Sequence, residues 1–175
     1  MAYRQNNPAS TGGRPNYGGG SGGDYGQRGQ SYDRGGVSGS EKEYIRKVRA
    51  VKSLGDIGID EIAKEDGIAE LAAKDFKTLK PSQLRRVFDV VKKIDYTLVD
   101  KSWDGVEADF YMIRPILAYA KGRDLIPDDF YTLITIAMQK VPVGDDAQKK
   151  KNYRTFVNLL ESIVAYHKYY HKERS

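Results

Sequence analysis

Beyond residue 40 the chain carries large apolar residues at steps of three and four, and the pattern runs longest near its end. In Tyr153–Tyr170, YRTFVNLLESIVAYHKYY, the positions Tyr153, Phe156, Val157, Leu160, Ile163, Val164, His167 and Tyr170 fall on one stripe at the period of an α-helix. The spacing predicts a helix from about Asp146 to Glu173, roughly 40 Å long at about 1.5 Å per residue. Asp145 supplies an N-cap, and Gln148 three residues on completes a capping box. A helix of that length can hold a core on one face and still offer others to neighbours. It reads as the spine of an all-helical domain.

Shorter stretches of the same periodicity precede it. Ser40 and Glu43 form a capping box, followed by an apolar face of Tyr44, Ile45, Val48 and Val51. Gly55, Gly58 and Gly67 divide the next stretch into helical pieces near Asp60–Glu65 and Ile68–Phe76, with Ile57, Ile59, Ile62, Leu71 and Phe76 in the core. In LKPSQLRRVFDVVKKI, Pro81 and Ser82 mark a helix start, and Leu84, Val87, Phe88, Val91 and Ile94 form its buried stripe. Residues 95–106 read as a loop anchored by Trp103. In EADFYMIRPILAYAKGRD, Pro115 predicts a kink or a restart, Phe110, Ile113, Leu117 and Tyr119 are the buried set, and Gly122 fits the position just past the helix end. A further helix opens at Pro127–Asp128, with Phe130, Leu133, Ile134, Ala137, Met138 and Val141 facing inward, and ends at Pro142 and Gly144.

Composition separates the first 40 residues from the rest. Twelve of the 18 glycines lie there, with no Leu, Ile or Phe. Such a stretch cannot bury enough apolar surface to offset the entropy of ordering it. The division is a disordered Gly/Tyr/Arg-rich tail over residues 1–39 and a helical domain over 40–175. In the tail Tyr3, Tyr17, Tyr25 and Tyr32 alternate with Arg4, Arg14, Arg28 and Arg34, and Arg34-Gly35-Gly36 is a single RGG. Arginine pairs with phosphate and tyrosine stacks on bases, so the tail is either an RNA-binding element or a plain soluble extension.

The net charge of +5 is a modest footprint of a polyanionic partner. Four arginines against two aspartates give the tail +2, which leaves +3 for the remainder, so a phosphate-binding surface must come from local placement. Arg85 and Lys92 lie seven residues apart on one flank of their helix, and Arg86 and Lys93 on the other, each pair about 10 Å apart along the axis. Successive phosphates fit that spacing, but so does a solvated face, and Asp89 is placed to pair with Arg85 or Lys93. Arg114 and Lys121 share another line, with Arg123 at the helix exit. Arg114 lies near the apolar stripe and needs an acid, carbonyls or a phosphate. Lys149, Lys150 and Lys151 oppose the positive end of the last helix unless Asp145, Asp146 or an external anion offsets them.

Known reaction centres find no match. The chain has no cysteine, no phosphate-binding GxxxxGK[ST] loop and no GxSxG. His167 and His171 share a helix face, but the segment His-Lys-Tyr-Tyr-His lacks the glutamate of a zinc hydrolase, and no third ligand is evident. The expectation is no metal, no cofactor and no catalysis. No apolar run approaches the roughly 20 residues of a membrane span, and a cytoplasmic location is expected.

Three blocks carry a family likeness: LKPSQLRRVFD at 79–89, RPILAYAKGR at 114–123 and FVNLLESIVAYHKYY at 156–170. In that order and spacing they resemble the small helical subunit of type III-A CRISPR Csm effector complexes, over about residues 41–172. The resemblance implies a compact bundle of about five or six helices. It implies several copies stacked head to tail, beside backbone subunits that hold the guide RNA and with a large palm-domain subunit in the same complex. In that family the small subunit lines the groove where crRNA and target RNA pair and has no nuclease activity of its own. Family basic positions match at Arg85 or Arg86, Arg114 and Arg123, and the flanking Lys92, Lys93 and Lys121 extend the same lines into a phosphate track. A free-standing RNA-binding protein acting through its tail and basic helices is the alternative, and an enzyme of unfamiliar type is a third reading with no residues to support it.

Overall fold

A computed structural model describes residues 41–171, and every described element is helical. In order these are α1 (Glu43–Ala50), a 3-10 turn at Leu54–Asp56, α2 (Ile59–Ala63), α3 (Ile68–Asp75), α4 (Pro81–Leu98), a second 3-10 turn at Trp103–Gly105, α5 (Glu107–Tyr111), α6 (Ile113–Gly122), α7 (Asp128–Gln139) and α8 (Asp146–Tyr170). Since α2 and α5 are five-residue turns, six helices of eight residues or more make the bundle. The tail assignment, the Ser40 cap and the last residues expected in α8 fall outside the described residues.

The bundle closes around α8, which packs on α3, α4, α2 and the first 3-10 turn, while α7 bridges α1 and α6 and α6 leans on α4. Tyr153, Phe156, Val157, Leu160, Ile163 and His167 are buried as the periodicity predicts, and Leu159 and Asn152 join them. Tyr153 also donates its hydroxyl to the Val91 carbonyl at 2.8 Å, fastening α8 to α4. Asp145 caps α8 by accepting from the Gln148 N–H at 2.9 Å. The Gln148 side chain does not return to complete a box, because it bonds Ser53 and Asn152 instead.

Several local expectations are corrected. The first helix starts at Glu43 with Lys42 at its N-cap and no side-chain cap bond, and the Glu43 carboxylate pairs with Lys47 at 2.9 Å. Ile59 is 58% exposed, because it opens α2 on the outer side while Ile62 takes the inward position. The loop expected at 95–106 begins later: Leu98 continues the stripe of Leu84, Val87, Val91 and Ile94, so α4 runs on to it. The break near Pro115 lies upstream, at Met112. Proline then sits in the first turn of α6, where a missing N–H leaves no bond unmade.

The end of α6 is also built differently. Its left-handed residue is Asp124, φ 53°, and not Gly122. The Leu125 N–H reaches the Ala120 carbonyl and the Asp124 N–H reaches that of Lys121, both at 2.9 Å, which is a Schellman closure with aspartate in the position glycine usually holds. Just past this turn Leu125 packs half-buried against the core, and Arg123 bonds to the Tyr119 hydroxyl.

His167 lies in the α3–α8 contact, 1% exposed, with Nε2 3.1 Å from the Phe76 carbonyl; His171 places its Nε2 2.8 Å from that of Ala73. Burial lowers the His167 pKa, and the neighbouring His171 lowers it further, against the opposing pull of the carbonyl. The unfolded chain therefore binds this proton first as pH falls below about 6.5, and folding stability drops across that window by up to about 1.4 kcal/mol per pH unit. His167→Gln can still donate to the carbonyl but does not titrate. Urea midpoints between pH 7.5 and 5.5 should fall for the parent chain and fall less for His167→Gln; equal slopes would remove His167 as the cause.

Candidate nucleic-acid interface

The buried stripe of α4 fixes where its cations go. With Leu84, Val87, Val91 and Ile94 inward, Arg85 and Lys92 take one flank and Arg86 and Lys93 the other. Arg85, Arg86 and Lys93 are exposed and make no ion pair among the described residues; Asp89 pairs with neither Arg85 nor Lys93. Lys92 is half-buried, 3.4 Å from Asp95 and over the Tyr96 ring at 5.5 Å.

On α6, Ile113, Leu117 and Ala120 face inward, which sends Arg114 and Lys121 to one flank and Pro115, Ile116 and Tyr119 to the other. Lys121 is engaged by Asp128 at the start of α7, 2.5 Å away, and that hydrogen bond raises its pKa. Arg114 is exposed rather than part-buried, so it needs no internal counter-ion. Tyr119, expected in the core, is 57% exposed because its flank overhangs a groove that α4 does not fill.

That groove, about 230 Å³, lies between Gln83, Arg86 and Val87 of α4 and Pro115, Ile116 and Tyr119 of α6, with Ala120 and Leu125 also against it. Arg123 donates to the Tyr119 hydroxyl at 2.7 Å and lies 5.5 Å from the ring centroid. Arg86 and Tyr119 thus line one opening, and Arg123 is tied to that Tyr119 side chain. None of Arg85, Lys92, Arg114 and Lys121 lines this groove. A smaller cavity, about 30 Å³, meets the C-terminal half of α4 through Asp95, Leu98 and Val99 and α8 through Lys150 and Arg154. Spacing within one helix gave no signal for Arg154, which is brought beside α4 only by packing.

One lysine of the run opening α8 is offset from within. Lys150 lies 3.4 Å from Asp146, and Asp146 also accepts from the Trp103 N–H, which holds its carboxyl below the usual aspartate range. No cluster of three or more metal-ligating side chains occurs among the described residues.

The family model described as Csm2 Type III-A matches residues 59–173. The chain belongs to the Csm2 family. Csm2 proteins are structural, non-catalytic subunits of the type III-A CRISPR Csm complex. The Csm2 match starts at the first residue of α2, so α1 lies outside it, while all seven basic positions singled out from sequence lie inside. Comparison with curated proteins and with solved structures gave no match. No described helix is long and apolar enough to cross a membrane.

Proposed function

We propose that this Csm2-family chain lines the groove in which crRNA pairs with target RNA, and holds the RNA backbone without reading its sequence. Guide pairing supplies sequence recognition, so the protein needs only contacts to phosphate and sugar. The observation that carries this reading is the set of exposed guanidinium groups at Arg85, Arg86, Arg114 and Arg123, none held by an acid among the described residues. Lys93 adds to them, whereas Lys92 and Lys121 are partly committed to Asp95 and Asp128. Copies of the chain stack on one another in the cytoplasm beside the Csm backbone subunits and the large palm-domain subunit.

Joint replacement of Arg85, Arg86, Arg114 and Arg123 by alanine tests the reading in the assembled complex. Target-RNA retention should fall at least tenfold at moderate salt. The slope of log affinity against log salt should flatten by about 0.7–0.9 for each phosphate that is no longer neutralised. Unchanged retention with an unchanged slope would overturn the proposal.

A further inference from the structure

We propose that the groove between α4 and α6 receives the base of one unpaired nucleotide of an RNA strand, while Arg86 and Arg123 hold the phosphates on either side. This rests on the backbone-binding reading above and adds a base site to it.

Size and lining point to that occupant. At about 230 Å³ the groove is smaller than the roughly 300–1,000 Å³ typical of sites for drug-sized ligands. It suits a single planar ring system. Val87, Pro115, Ile116 and Leu125 offer apolar contact to a ring, and the Gln83 amide, which carries both a donor and an acceptor, can meet the edge of any base. Tyr119 stands at the edge, more than half exposed.

Charge favours a nucleotide over an apolar side chain of a protein partner. Arg86 lines the groove without an ion pair among the described residues, and Arg123 is positioned by a tyrosine hydroxyl rather than by a carboxylate. The nearest acid in sequence, Asp124, forms no ion pair with Arg123; its left-handed backbone serves the turn that delivers Arg123 and Leu125 to this side of α6. Among the described residues, the one acid bound to a cation of α6 is Asp128, on the Lys121 flank. The opening therefore pairs apolar walls with uncompensated positive charge, which matches a base attached to its phosphates. Aromatic stacking with phosphate pairing tolerates any base.

The test uses the complete complex and a target RNA carrying 2-aminopurine at single positions left unpaired with the guide, moved along the strand. Stacking against Tyr119 should quench the probe at some positions. Tyr119→Ala should abolish the quench and weaken retention of the mismatched strand about tenfold. Tyr119→Phe, which keeps the ring, should preserve most of it. Ile116→Trp, which fills the groove without altering charge, should block quenching while the salt slope stays at its parent value. Melting temperatures of the isolated full-length variants separate these effects from misfolding.

Absence of quenching at every position, or equal quenching in Tyr119→Ala and the parent, would overturn the base site. In that case the four-arginine variant still judges the backbone reading by itself. If Ile116→Trp expels the chain from the complex and leaves RNA signals unchanged, the groove takes a protein side chain and the proposal fails.

Discussion

Replacing Asn152 by alanine should lower folding stability by about 3–5 kcal/mol, seen as a fall of roughly 10–15 °C in melting temperature by circular dichroism. Asn152 is fully buried, and its amide serves four neighbours outside α8. Its oxygen accepts from the Ser53 hydroxyl at 2.6 Å, the Gly55 N–H at 2.9 Å and the Gln148 amide at 2.8 Å. Its nitrogen donates to the Val141 and Val143 carbonyls at 2.9 and 3.0 Å. Alanine strands a buried hydroxyl, an N–H and two carbonyls where water has little access, and unmade bonds of this kind cost more than made ones contribute. Asn152→Asp separates the two halves of the network. It keeps an acceptor for Gly55 and Ser53 but turns a carboxylate toward two carbonyl oxygens, so it should be destabilised comparably despite its matching shape. A loss below about 1 kcal/mol for alanine would show that the clasp contributes little.

Trp103→Ala should cost a similar amount, about 3–5 kcal/mol, from reduced apolar burial and the cavity left behind. The indole is completely buried, with its ring centroid 5.1 Å from that of Phe110 and 5.9 Å from that of Tyr153, and its N–H donates to Glu107 at 3.1 Å. Its backbone N–H bonds Asp146, which ties the second 3-10 turn to the start of α8. Trp103→Phe keeps an aromatic ring but drops the indole donor, and should lose about 1–3 kcal/mol. Chemical denaturation followed by circular dichroism measures both, since the chain has no other tryptophan to report by fluorescence. Equal losses for Phe and Ala would mean that the hydrogen bond, and not the packed volume, carries the contribution.

Periodicity was enough for the long elements. The stripes of α4, α7 and α8 repeat over three turns or more, so errors at single positions average out, and the Pro81 start of α4 and the Asp145 cap of α8 are local chemistry readable from a few residues. Short pieces fared worse. Ile59 and Tyr119 are apolar or aromatic and sit near a stripe, yet both are exposed, because whether a flank is covered depends on the neighbouring helix and not on the residue. Asp124 shows the same limit: glycine is the usual choice for a left-handed helix end, and here Gly122 stands two residues early while aspartate takes the turn.

The functional surface divides along that line. Heptad spacing located Arg85, Lys92, Arg86, Lys93, Arg114 and Lys121 on their own helix flanks, and the three sequence blocks carried the family likeness that the match over 59–173 bears out. Which flanks meet was settled by helix packing. The contact of α4 with α6 sets Arg86 opposite Tyr119, the contact of α6 with α7 ties Lys121 to Asp128, and the contact of α4 with α8 brings Arg154 beside Asp95. A sequence determines the face of each helix because side chains follow the period of the backbone. It does not state which faces adjoin, because that depends on crossing angles and loop paths set by the whole core.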